Sequence, residues 1–394
     1  MNRPDLAARS PARGSSHDPK EQQAMTTEAG IASPTTGAIN AETAETLGRK
    51  LDAILLPLAA LLVGMLIFSI FLLFLGKSPI EFFQIVYKAG FGTGFSWTNT
   101  LARAAPLLLA ALCVALPARL GLVIIGGEGA IVLGGVAAGA VAMLAPGLPG
   151  FLGIILMGLA AALAGGAWIG GIGALRHLRG VNETISSLLM AYIAIALMNH
   201  LVEGPLRDPA SLNKPSTAPL PEAWRIGEIP GAGVHWGLAV GIVGCILCWL
   251  LIERTTWGFA ARIVGGNVKA AQIQGLPAGL LMIGFTALGG AFAGLAGMFE
   301  VAAVHGSANA SLAAGYGYTG ILIAFLARHN GLAIIPAAIV FAGFEASSGL
   351  IQRRLDLPDA TILVLEGIVF ITILLSDALQ DKVSIVKLMK GDRT

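Results

Sequence analysis

Ten apolar runs, most of them close to twenty residues long, constrain this chain more than any motif does. They lie at 51–75, 99–119, 121–144, 151–175, 182–202, 236–253, 277–301, 315–328, 332–350 and 358–376. A run of about 20 apolar residues is what one helix needs to cross a bilayer. In hydrocarbon a single segment satisfies its backbone polar groups only by forming a helix. The expected fold class is therefore an all-α integral membrane protein with about ten transmembrane helices. Composition points the same way. Only 12% of the residues are charged and 55% are hydrophobic, with a mean hydropathy of +0.78. A soluble domain carries about 25% charged residues, so too little charge is present to cover a water-facing surface. The 52 glycines suit helices that approach closely in lipid. The net charge of +2 comes with no basic stripe and no interleaved aromatics, which excludes nucleic acid as a partner.

Residues 1–48 lack any apolar period and are rich in Ala, Ser, Thr, Pro and Glu. They read as a disordered cytoplasmic tail, without the short apolar core of a signal peptide; Met25 is an alternative start. Residues 49–380 form the transmembrane domain and 381–394 a cytoplasmic C-terminal tail. Arg49, Lys50, Arg119, Arg176, Arg179, Arg254, Arg262, Lys269, Arg328, Lys382, Lys387 and Lys390 fall on one side of the alternating spans. This bias places both termini in the cytoplasm, and Arg353–Arg354 is the one pair against the rule. Cys113, Cys245 and Cys248 sit in apolar runs with no second ligand pair, so they read as packing residues and no metal site is expected.

Two connections are long enough to carry function. The outer loop 203–235 contains Gly204-Pro205, Asp208-Pro209 and further prolines and cannot be one helix. The inner loop 254–276 contains Asn267-Val268-Lys269-Ala270-Ala271-Gln272-Ile273-Gln274-Gly275. Asn267 suits an N-cap and Gly275 a C-terminal stop. The short helix between them is either a knob that docks into another protein's groove or an ordinary interfacial connector.

The stretch Gly126-Gly127-Glu128-Gly129 places an acid inside an apolar span, flanked by glycines. A carboxylate in lipid is costly and is kept for a pathway or a specific partner. Flanking glycines favour a break in the helix, and a matching interrupted segment is Gly315-Tyr316-Gly317-Tyr318-Thr319-Gly320. Paired broken segments point to a binding site near the bilayer midplane. Glu128 either pins the broken helix or contacts the solute. Of the other acids, Glu183 follows Asn182 at a helix start, where capping explains it. Glu300, Glu345 and Glu366 also lie near or in spans, and the last two are deep enough to face a cavity. Pairs such as Gly135/Gly139, Gly166/Gly170 and Gly290/Gly294 are packing signals. The chain has no HExxH and no GxSxG, so no enzymatic activity or cofactor is expected. Gly76-Lys77-Ser78 ends like a phosphate loop, but Phe71 stands where its first glycine must be. If transport is ATP-driven, another subunit holds the nucleotide.

From about residue 50 to 380 the chain resembles the ABC importer permeases of the ribose and branched-chain amino acid type, closest to the nucleoside or guanosine-uptake branch. The strings that carry the resemblance are Gly126-Gly127-Glu128-Gly129, Asn182-Glu183-Thr184-Ile185-Ser186-Ser187, Tyr192-Ile193-Ala194 and Gly204-Pro205-Leu206-Arg207-Asp208-Pro209. They continue with the 254–275 loop, Gly294-Leu295-Ala296-Gly297 and Gly315–Gly320. The resemblance implies a type II importer permease fold with two pseudo-symmetric halves in the bacterial inner membrane. It implies two cytoplasmic ATPases, a second and different permease subunit, and an extracytoplasmic substrate-binding protein that meets loop 203–235. Residues 267–275 look like the coupling helix, with Asn267, Lys269, Ala270, Ala271, Gln272, Gln274 and Gly275 engaging the ATPase. Gly126, Gly127, Glu128, Gly129, Tyr316, Tyr318 and Thr319 look like the substrate pathway, for a nucleoside, a purine-like solute or a simple sugar. The chain departs from the family pattern at Ile124, Ala130 and Ala191, where polar residues usually stand. Loss of three hydrogen-bonding groups is expected to alter ligand choice. The rival expectation is a proton-coupled secondary transporter using Glu128, Glu345 or Glu366.

Overall fold

A computed structural model describes residues 36–212 and 214–379, and among them every regular element is helical. The β pairing amounts to two isolated bridges, Ser216 with Asn309 and Glu228 with His235. The helices are α1 (Thr36–Phe74), α2 (Pro79–Gly90), α3 (Gly94–Ala118), α4 (Gly127–Leu144), α5 (Gly150–Arg179), α6 (Glu183–Glu203) and α7 (Gly237–Arg254). They continue with α8 (Thr256–Gly266), α9 (Val268–Ile273), α10 (Ala278–Phe299), α11 (Tyr316–Leu326), α12 (Gly331–Leu355) and α13 (Ala360–Leu379). A π-helical segment, Glu300–His305, continues α10. Among the described residues eight helices are long and apolar enough to cross a membrane, and Ala310–Leu326 and Ala360–Ser376 are shorter apolar helices. The ten apolar runs thus correspond to ten helices.

Three differences from the sequence expectation have physical causes. The first helix begins at Thr36, so residues 36–48, expected without structure, are helical; 1–35 and the 381–394 tail lie outside the described residues. The 121–144 run is non-helical over 122–125 and a helix only from Gly127, the break its glycines suggested. Helix α2 was not expected, because its 12 residues are too few to span. Ser78 caps it by accepting a hydrogen bond from the Glu81 N–H, and Pro79 fills its first turn. Arg353 and Arg354, the misfits of the charge rule, occupy the last turn of α12, where cations favour the negative end of the helix dipole.

Helix α3 is the axis of the bundle, packing on α7, α10, α11 and α12. The most extensive contact is α5 with α10, and α4 packs on both. Lipid offers no hydrophobic drive between helices, so close van der Waals fit has to supply the association. Glycine supplies that fit here. A Cβ on Gly294 would overlap the carbonyl of Ala161 on α5, and one on Gly290 would overlap that of Gly165. Gly294→Val is therefore expected to separate α5 from α10 at a cost of about 1–3 kcal/mol or more. The thermal midpoint of the detergent-solubilised protein should fall, and an unchanged midpoint would contradict this packing account.

The outer loop folds back onto the bundle. The Thr217 N–H donates to Ala308 O (2.9 Å), Leu220 N–H to Gly306 O (2.8 Å) and Ile226 N–H to Ala302 O (3.1 Å). Trp224, in its single 3-10 turn, is buried and donates from Nε1 to Leu148 O at 3.2 Å. On the opposite side, α8 and α9 form the inner connection.

Candidate substrate pathway

Helices α4 and α11 begin inside the bundle, and their N-termini meet. The first N–H groups of any helix have no partner in that helix, and its N-terminus favours negative charge. Glu128, in the first turn of α4, supplies both needs to α11: Oε1 accepts from the Gly315 N–H and Oε2 from the Gly317 N–H, each at 2.7 Å. The glycines make this contact possible. Gly315 has φ +91°, a left-handed conformation that glycine adopts without strain. A Cβ on Gly317 would overlap the backbone of Glu128. Helix α11 has 11 residues and is therefore about 16 Å long, about half the roughly 30 Å of a hydrocarbon core.

Around this junction lies a cavity of about 810 Å³ with largely apolar walls. It is bounded by the non-helical segment at Val123 and Ile125, by Ile195 of α6, by α11, and by α13 from Leu363 to Leu374. Of the expected pathway residues, Glu128, Tyr318 and Thr319 line it. The other four do not, and each has a packing reason. Gly126 makes room for the Ser187 backbone, Gly129 lies against Ala191 and Ala194, and Gly127 faces Cys113 and Gly317. Tyr316 packs between the two halves of the core. Ile124, Ala130 and Ala191 are fully buried and absent from the walls. The three departures from the family pattern thus change packing beside the cavity and not its lining.

Further polar groups belong to this region. Thr319 donates its hydroxyl to Glu366 Oε2 at 2.9 Å, and Glu345 lies near this pair. Arg103 of α3 acts electrostatically on Glu345, Glu300 and Tyr316. His305 Nε2 stands 3.5 Å from Glu300 Oε2 within the π-helical segment, a distortion that recurs at functional sites. Arg103 was overlooked in the sequence. Its signal was an arginine within the 99–119 run, and ionisable residues inside spans are kept for a reason.

The inner connection is built as its sequence suggested. Asn267 Oδ1 accepts the Ala270 N–H at 3.0 Å, and Gly275 ends the helix at φ +78°. Lys269, Gln272 and Gln274 are exposed, whereas Ala271 is buried against the chain's own core. Ile273 projects almost wholly into the surroundings, 88% exposed. The end of α8 rests on the turn that follows α3: the carbonyl of Gly265 lies 3.4 Å from where a Gly121 Cβ would stand. Arg119, in that turn, donates to His329 O at 2.9 Å and stands 3.8 Å from Glu253, which also pairs with Arg262 of α8 at 2.9 Å. Burial and the neighbouring Arg119 charge push the His329 imidazole down to about 4, so it stays neutral in this cluster. Arg328 and His329 hold left-handed backbone (φ 48° and 56°), an arrangement uncommon outside glycine.

Comparison with known proteins identifies the relatives of this arrangement. Residues 96–374 match the family model described as the permease component of branched-chain amino acid transport systems. A glucose ABC transporter permease protein of Haloferax volcanii is 33% identical over 335 residues, covering 82% of this chain and 87% of the relative. A guanosine ABC transporter permease protein of Bacillus subtilis is 27% identical over 348 residues, covering 84% and 96%. A nucleoside ABC transporter permease protein of Lactococcus lactis is 25% identical over 334 residues, covering 82% and 92%.

Proposed function

The chain belongs to the permease-component family of branched-chain amino acid transport systems and is a multi-pass membrane permease of an ATP-binding cassette importer, and from that premise we propose how it is driven and what it carries. The chain is a conduit whose energy comes from separate cytoplasmic ATPase subunits. Residues Asn267–Gly275 form the knob that seats in the ATPase, with Ile273, Lys269 and Gln272 as the outward contacts and Ala271 as the inward anchor. One observation carries this reading. The end of α8, which leads into the knob, rests against Arg119–Gly121, and the residues that follow are the non-helical segment 122–125 that leads to Glu128 at the cavity. Displacement of the knob therefore has a short covalent and packed route to the pathway.

The solute is a neutral polyhydroxylated molecule such as a nucleoside or a simple sugar. The named solutes of the relatives are of this kind, and a cavity of about 810 Å³ with few polar groups suits a solute without net charge. A second, different permease closes the open side of the cavity, against the exposed apolar face of α6 that includes Ile185, Leu189, Ile193 and Leu197. Both termini face the cytoplasm of a bacterial inner membrane, and loop 203–235 receives a substrate-binding protein outside. The proton-coupled alternative is weaker at Glu128, since both carboxylate oxygens already hold the start of α11 through backbone N–H groups.

Purification from the native membrane in mild detergent tests this reading. A nucleotide-binding subunit carrying GxxxxGK[ST] should accompany the chain, and replacement of Ile273 by Asp should strip it away. A chain that emerges without such a subunit, while its cells lose uptake only when the proton gradient is collapsed, would contradict it.

A further inference from the structure

Two carboxylates line the cavity, and their oxygens are used differently. Each oxygen of Glu128 already accepts one backbone N–H from the start of α11, so both of its oxygens have a partner before any solute arrives. Glu366 is different. It comes from α13, is 3% exposed, and lines the same cavity. Its Oε2 accepts the Thr319 hydroxyl at 2.9 Å, while its Oε1 is buried with no hydrogen-bond partner. Buried polar atoms are nearly always paired, and this unpaired oxygen belongs to a side chain that lines the cavity. The remaining polar liner near it, Thr319, has its hydroxyl proton committed to Glu366.

We propose that Glu366 is the specificity-determining contact of the pathway, its free Oε1 hydrogen-bonding one hydroxyl of a sugar-bearing solute whose other faces rest on the apolar walls. This deepens the solute class given above and rests on that reading. A hydroxyl is the group that fits, because it both donates and accepts. It pairs with the carboxyl of Glu366 whether that group is ionised or protonated. An N–H edge pairs only with an acceptor, and a carbonyl only with the protonated form. Thr319 fixes the carboxyl by holding Oε2, which leaves Oε1 directed by a hydrogen bond and not free to rotate. The order α11 to α13 explains the pairing of the two residues: they are 47 positions apart in sequence, and the packing of α11 on α13 brings them together.

The test is solute discrimination by the assembled transporter in proteoliposomes. ATP-driven uptake is measured for guanosine and glucose and for the singly deoxygenated forms of each. Basal ATP hydrolysis reports that the complex has assembled. The wild-type complex should prefer a parent solute over at least one of its deoxy forms by about tenfold or more, since a site built around a hydroxyl leaves its partner unpaired when that hydroxyl is missing. Glu366→Leu should compress that ratio to within about twofold, and Glu366→Gln, which restores a hydrogen-bonding end, should recover most of it. A merely structural role would lower uptake of all solutes together and leave the ratio alone. An unchanged ratio in Glu366→Leu with uptake present overturns the inference by itself. If Glu366→Leu does not assemble, Glu366→Ala takes its place: a ratio compressed to within about twofold supports the contact, and an unchanged ratio overturns it. Failure of the wild-type complex to take up any of these solutes contradicts the solute class proposed above, and the inference falls with it.

Discussion

Glu128→Ala should lower the stability of the folded protein by about 2–6 kcal/mol and abolish uptake, because it orphans two buried N–H groups at about 1–3 kcal/mol each. Those groups belong to Gly315 and Gly317 and hold the start of α11 against the first turn of α4. Helix α11 is too short to span by itself. Its position therefore depends on the clamp. Glu128→Gln keeps one acceptor and turns an amide N–H₂ toward the other glycine, so its loss should lie between those of the wild type and the alanine variant. Thermal unfolding in detergent, read beside solute uptake, gives the order. Wild-type behaviour in both variants would show that the two half-helices hold each other by other means.

The larger functional effect is expected from the inner connection. Replacing Asn267–Gln274 with a Gly/Ser linker of equal length should reduce ATP-dependent uptake to background while leaving the stability of the membrane bundle within about 1 kcal/mol, since surface segments contribute little to stability. The cap at Asn267, the stop at Gly275 and the buried Ala271 all serve to hold six helical residues that would not be stable alone. A linker cannot transmit force, because a flexible chain has no fixed geometry. The ATPases of such a complex should still hydrolyse ATP, now unlinked from solute movement. Retained uptake would reduce α9 to a connector, the alternative that its sequence left open.

Much of this architecture was legible because lipid leaves so few options. An apolar run of spanning length has one outcome, and all ten runs became helices. Glu128 stood out because an acid between glycines in hydrocarbon has few explanations, and the break at 121–126 followed from the same glycines. Its role was open between pinning the helix and touching solute, and the two 2.7 Å bonds to Gly315 and Gly317 support the first. Of the four motif residues that do not line the cavity, Gly126, Gly127 and Gly129 admit neighbouring helices, whereas Tyr316 packs in the core. Sequence order does not distinguish a glycine that exposes a cavity from one that admits a neighbouring helix. Arg103 and Ile273 were missed for opposite reasons. A single charge scarcely lowers the hydropathy of a long run, and an apolar residue on a short polar loop looks ordinary until its exposure is known. The special character of Glu366 depends on which oxygen Thr319 engages, and that is set by the packing of α11 on α13.

Solute is expected to move through this chain only when it is driven from the cytoplasmic side. Proteoliposomes containing the permease pair and binding protein, with and without the ATPase subunits and loaded with ATP, measure it directly. Solute should accumulate above its external concentration only when ATPase and nucleotide are both present, and a proton gradient alone should give none. Uphill accumulation by the permease without its ATPase would contradict the account.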